Sequence, residues 1–106
     1  MFNVFQNQIK ENYTDAQLHA KREISCFGSS EWEKEYFNFY TKTAVCDAEH
    51  CEEVFELMNA WNDREKVYFW NGERPYSLSV GDIIQHTESK EFYMVEDFGF
   101  KIVKVN

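Results

Sequence analysis

Proline occurs once, at Pro75, and glycine four times, at Gly28, Gly72, Gly81 and Gly99. Linkers and low-complexity tracts need far more of both, and no internal repeat is present. No apolar run approaches the ~20 residues that cross a bilayer. Met1 to Lys10 has no basic stretch leading into an apolar one, which points away from a secretory signal. Bases are scarce: 11 Lys and Arg stand against 19 Asp and Glu, a net charge of −8. The basic footprint of a nucleic-acid or anionic-membrane binder is therefore missing. The three cysteines, Cys26, Cys46 and Cys51, are odd in number and unpatterned. Such usage suits a reducing cytosol better than a secreted disulfide framework.

Catalytic fingerprints are also lacking. No G-x-S-x-G, phosphate-binding loop or dinucleotide motif occurs. His19, His50 and His86 are isolated from one another. Cys46, His50 and Cys51 lie close in sequence but fit neither C-x-x-C nor H-x-x-x-H spacing. No catalytic residue, metal or cofactor is assigned, and the chain reads as a non-enzyme.

What the chain does have is core material: 43% of its residues are hydrophobic and 18% aromatic. A chain of 106 residues suits one domain, 1–106, burying about two-thirds of its unfolded surface. Alternation from Phe2 predicts a first strand closed by Ile9. Thr14 and Gln17 form a capping-box pattern ahead of a short helix through Ala16, Leu18, Ala20 and Ile24. Ser30 and Glu33 are placed to cap one more turn around Trp32. The aromatic and β-branched run Tyr36 to Val45 predicts a strand.

Asp47 is the expected N-cap of the clearest helix, and Asn62 its stop. Cys51, Val54, Phe55, Met58 and Trp61 make its apolar stripe, so Phe55 is expected to be buried. Strands are predicted at Val67 to Trp70, Ile83 to His86, Phe92 to Val95 and Phe100 to Val105. Short connections make the last three an antiparallel meander. The fold class is α+β, an antiparallel sheet with one principal amphipathic helix packed on one face.

The acidity is concentrated. Residues 31–65 hold ten acids and three bases, and Cys46 to Asp63 contains no Lys or Arg. Glu49, Glu52, Glu53 and Glu56 share one helical face, and Glu31, Glu33, Glu35 and Asp63 flank it in sequence. Like charges at i,i+4 cost a few tenths of a kcal/mol per pair. Such a face is either the solvated side opposite the apolar stripe or a surface that docks a protein with a basic surface, and the missing Lys and Arg favour the second.

The segment Tyr76 to Ile83 reads as architecture: Gly81 supplies a positive φ, Asp82 closes the turn, and Gly99 makes a second bend. The alternative reading is a β-barrel-like module that binds RNA or a small ligand. Phe92, Tyr93, Phe98 and Phe100 would then be its stacking groups.

Four stretches recur in one order: Tyr40 to Val45, Asp47 to Asn59, Ser77 to Ile84, and Gly99-Phe100. The second has the form D-x-x-x-x-E-E-V-F-x-x-x-N, and the third reads S-x-S-V-G-D-[IV]-[IV]. This order resembles that of small uncharacterised proteins of bacteriophages, plasmids and similar mobile elements. The resemblance carries over no activity and no functional residue, and residues 1–35 fall outside it. It implies a phage-type accessory or inhibitor protein that acts in a bacterial cytoplasm on a host protein, such as a nucleic-acid-binding or defence protein. Direct nucleic-acid binding and membrane association are not expected, and no oligomeric state is implied.

Overall fold

The computed structural model of the chain describes residues 1–60 and 63–106. Six strands form its sheet: β1 (Phe2–Gln6), β2 (Thr41–Cys46), β3 (Val67–Phe69), β4 (Ile83–His86), β5 (Phe92–Val95) and β6 (Phe100–Val103). Every pairing is antiparallel, and the order is β3-β2-β1-β4-β5-β6. Two helices pack on it, α1 (Asp15–Phe27) and α2 (Cys51–Ala60). The fold is thus α+β, with the C-terminal meander and an amphipathic helix laid on one sheet face. Among the described residues the sheet is open, with β3 and β6 as its ends, and does not close into a barrel.

Strand alternation sends successive side chains to opposite faces. On one face Val54, Leu57 and Met58 of α2 pack with Phe2, Val4, Ala44, Cys46, Ile84 and Val95. On the other, Ile24 of α1 meets Ile83, Met94 and Val103, joined by Phe5, Phe37, Tyr40 and Phe92. The two covers are offset. On the α2 side, the β5–β6 end of the sheet keeps Tyr93 and Phe100 only half-buried, and Ile102 is 60% exposed. No helix among the described residues is long and apolar enough to cross a membrane.

Several local expectations need correction. Asp47 does not cap α2, which starts four residues later; its N–H bonds to the Lys66 carbonyl and prolongs the β2–β3 ladder. The helix begins at Cys51, and the N–H groups of Glu53 and Val54 reach back to the His50 carbonyl. Phe55 is 41% exposed, and Leu57 takes the buried place expected for it. Both border the stripe, and the roll of the helix on the sheet buries Leu57. Trp61 and Asn62 lie outside the described residues.

Tyr36 to Phe39 form part of a 3-10 turn, Lys34–Phe39, not a strand. The Tyr36 ring packs on Trp32 and the Phe37 ring on Tyr40 and Phe5, and this tertiary contact overrides β-propensity. Ser30 does not cap Glu33 but donates to the Phe27 carbonyl. Thr14 does cap α1, accepting from the Gln17 N–H, while the Gln17 side chain turns to Asn7 and Gln8. The short helix expected there runs on to Phe27.

The turn before β4 is closed by Asp82, whose Oδ2 accepts from the Ser79 N–H at 3.0 Å. Gly81 sits at φ +95°, and a Cβ there would lie 2.8 Å from Ile24 Cγ2. Asp82 is buried and also accepts from Gln6 Nε2 at 3.0 Å. Burial pushes its carboxyl up to about 6, against the hydrogen bonds and the nearby Lys21 charge.

Candidate functional site

The uncovered end of the α2-side face is a groove. Its floor is sheet: His86, held edge-on against Phe2 at 5.0 Å, then Tyr93 and Phe100. One wall is the first two turns of α2. Alternation decides the floor, since Tyr93 lies opposite Ile84 and Ile102, on the face that α2 leaves open.

The groove has two adjacent parts that share Glu52 and Phe100 as lining residues. One, of about 300 Å³, lies between α2 and the β5–β6 turn, lined by Glu52, Phe55, Glu56, Val95, Glu96, Asp97, Gly99 and Phe100. The other, of about 350 Å³, continues along the helix start, lined by Phe2, Glu49, His50, Cys51, Glu52, His86, Tyr93 and Phe100.

The acids have different duties. Glu53 is turned away from the groove: its Oε1 accepts from the Glu49 N–H at 2.9 Å and its Oε2 lies 4.0 Å from Lys66 Nζ. A carboxylate returning to the helix start in this way resembles a capping box and favours the positive end of the helix dipole. Glu96 is tied down by the Ser29 N–H at 2.9 Å. A Cβ at Gly28, which has φ +64°, would overlap Glu96 Oε2. Glu49, Glu52, Glu56 and Asp97 are exposed around the groove.

The β5–β6 turn that carries Asp97 is closed by the Glu96 N–H on the Gly99 carbonyl at 3.0 Å, with Gly99 at φ +87°. At its tip Phe98 is 98% exposed. The arrangement suits a cation with an apolar stem: carboxylates take the charge, and Phe55, Tyr93 and Phe100 take the methylenes.

The structure gathers some of the sequence candidates and separates others. Glu52 and Glu56 line one pocket with Asp97, a residue of the β5–β6 turn that the sequence alone does not single out. Glu31, Glu33 and Glu35 are exposed among the 3-10 turns whose neighbours Trp32 and Tyr36 pack on the opposite sheet face. They are not part of the α2 face. Asp63 is exposed ahead of the turn Arg64–Lys66 that enters β3. Of the proposed stacking aromatics, Phe92 packs with Phe5 and Phe37 on the α1 side.

Cys46 is buried in the core, and burial pushes its thiol up to about 12. Cys51 borders the groove, pushed up to about 11 by burial first and then by the Glu52 charge. Both remain thiols near neutral pH and are poor nucleophiles. Among the described residues no three His, Cys, Asp or Glu side chains are grouped to hold a metal ion. Comparison with protein-family models, with curated proteins and with solved structures finds no match for the chain.

Proposed function

We propose that the chain is a non-catalytic binding protein that takes a basic segment of a partner protein into the acidic groove beside α2. One observation carries this reading. Carboxylates from two distant parts of the sequence, Glu52 and Glu56 on α2 and Asp97 on the β5–β6 turn, converge over an aromatic floor. A face that is only solvated needs no such floor. No Lys or Arg lies between Cys46 and Asp63 to neutralise it. The resemblance to phage and mobile-element proteins makes the partner a bacterial host protein in the cytoplasm. A nucleic-acid-binding or defence protein would present the basic surface.

The test is selection of random peptides displayed on phage against the immobilised protein. Enrichment of Lys and Arg is expected, with binding that weakens as salt rises. Glu52→Lys with Glu56→Lys should abolish it. Selected peptides without cationic residues, or binding indifferent to the double reversal, would overturn the proposal.

A further inference from the structure

Strand β6 is the free edge of the sheet on the groove side. Antiparallel strands alternate between residues that exchange backbone hydrogen bonds with a neighbour and residues that do not. The Glu96 N–H bonds the Gly99 carbonyl, and the Val95 N–H is spent on Asp82 in the direction of β4. Through the pairs Met94–Lys101 and Tyr93–Ile102, the alternation directs the Lys101 and Val103 backbone groups to β5. Those of Phe100 and Ile102 are left facing outward. At the far end the Lys104 carbonyl accepts from the Trp32 indole at 2.7 Å, which closes the edge there. The open edge is therefore a short template whose two outward residues have their side chains on the α2-side face, Phe100 lining the groove and Ile102 lying beyond it.

Resting on the groove as a partner site, we propose that the partner segment binds as an added strand on β6, extended, with cationic residues at alternate positions. Pairing with Phe100 and Ile102 puts every second side chain on the α2-side face, where Glu52, Glu56 and Asp97 stand. The intervening side chains fall beside Lys101, so a register shifted by one residue sets like charges together. This is recognition in which backbone bonds supply affinity and alternate pockets supply specificity. A second copy of this chain fits poorly, because each copy carries a net charge of −8 and presents Lys101 on the same edge.

The probe is an acetylated, amidated peptide of alternating arginine and valine, tested on the full chain. Amide exchange of Phe100 and Ile102 should slow on binding. Methylating alternate backbone nitrogens of the peptide should weaken binding about tenfold for the set that faces β6 and little for the other set. Ile102→Pro removes an outward N–H, which an edge strand tolerates, and should weaken binding to a similar degree. Equal effects of the two methylation sets, with Glu56→Lys still weakening binding, would overturn strand addition and leave the groove reading intact. Binding indifferent to Glu56→Lys would overturn the groove reading itself. No binding, or a wild-type dimer that Ile102→Pro converts to monomer, would overturn the proposal as well.

Discussion

Gln6 Nε2 donates to Asp82 Oδ2 at 3.0 Å across 76 residues of sequence, joining the central strand to the turn that starts β4. The same amide reaches the Tyr76 carbonyl at 3.0 Å, and Gln6 Oε1 accepts from Thr43 Oγ1 at 3.0 Å. Thr43 is the extra residue of a β-bulge, since Val4 pairs with Ala44 and Phe5 with Lys42. The bulge turns a hydroxyl inward that regular pairing would spend elsewhere. A buried carboxyl is thereby satisfied by neutral donors, and no cation is bonded to it.

That arrangement sets a pH dependence. The folded protein holds the Asp82 proton more tightly than the unfolded chain, from about 6 against an ordinary 3.8. Stability must then fall as pH rises between about 4 and 6, and the cost is complete above that window. Its size is about 3 kcal/mol, from ~1.4 kcal/mol per unit. Asp82→Asn keeps an acceptor for both N–H groups and removes the charge. Urea melts of both proteins at several pH values should show wild type gaining on Asp82→Asn as pH falls through this window. Parallel curves would refute the assignment.

Gly81 tolerates no side chain. Its φ of +95° disfavours any L residue, and a Cβ would crowd Ile24 Cγ2 at 2.8 Å. Gly81→Val should cost at least about 2–3 kcal/mol through strain and overpacking together. Gly72, at φ +79° with nothing within 4 Å, offers the control. Gly72→Val should cost less, by thermal melting, because it lacks the clash.

What the sequence made legible was local. Thr14 could be read as a cap, Gly81-Asp82 as a turn, and the meander from period-2 alternation between short loops. What it hid was decided by distant contact. Phe55 and Leu57 flank the same helical stripe, and only docking on the sheet buries one and exposes the other. Tyr36 and Phe37 have strand chemistry, yet their rings find Trp32 and Phe5. The acids on the groove wall were visible as a helical face. The floor was not, because Tyr93 and Phe100 arrive, together with Asp97, from a hairpin some forty residues further on. The acidic run Glu31 to Glu35 was joined to α2 by sequence proximity alone, and the sheet separates the two.

The roll of α2 yields a ranking. Leu57→Ala should cost about 2–5 kcal/mol through lost burial and a cavity. Phe55 is 41% exposed, so Phe55→Ala should cost only about 1–2 kcal/mol. Phe55→Ala should also weaken capture of a basic peptide, since it removes a groove wall. Equal or reversed costs in denaturant melts would mean that α2 sits differently on the sheet.

Charge reversal on α2 should separate folding from binding. Glu52 lies in the first turn, where a carboxylate favours the helix dipole, so Glu52→Lys should destabilise by about 0.3–1 kcal/mol. Glu56 lies one turn later and faces Glu52 at i−4 and Glu53 at i−3. Glu56→Lys converts both repulsions into attractions, with Glu N-terminal to Lys as the favourable order, and should stabilise by a few tenths of a kcal/mol. Stability therefore moves in opposite directions for the two variants. Binding to a basic partner should weaken for both, mainly through a slower association rate that depends less on salt than in wild type. Stopped-flow association at two ionic strengths, beside thermal melts, reads both quantities. If affinity followed stability, so that Glu56→Lys bound better than wild type, the groove would hold no cation and its acids would serve only the helix.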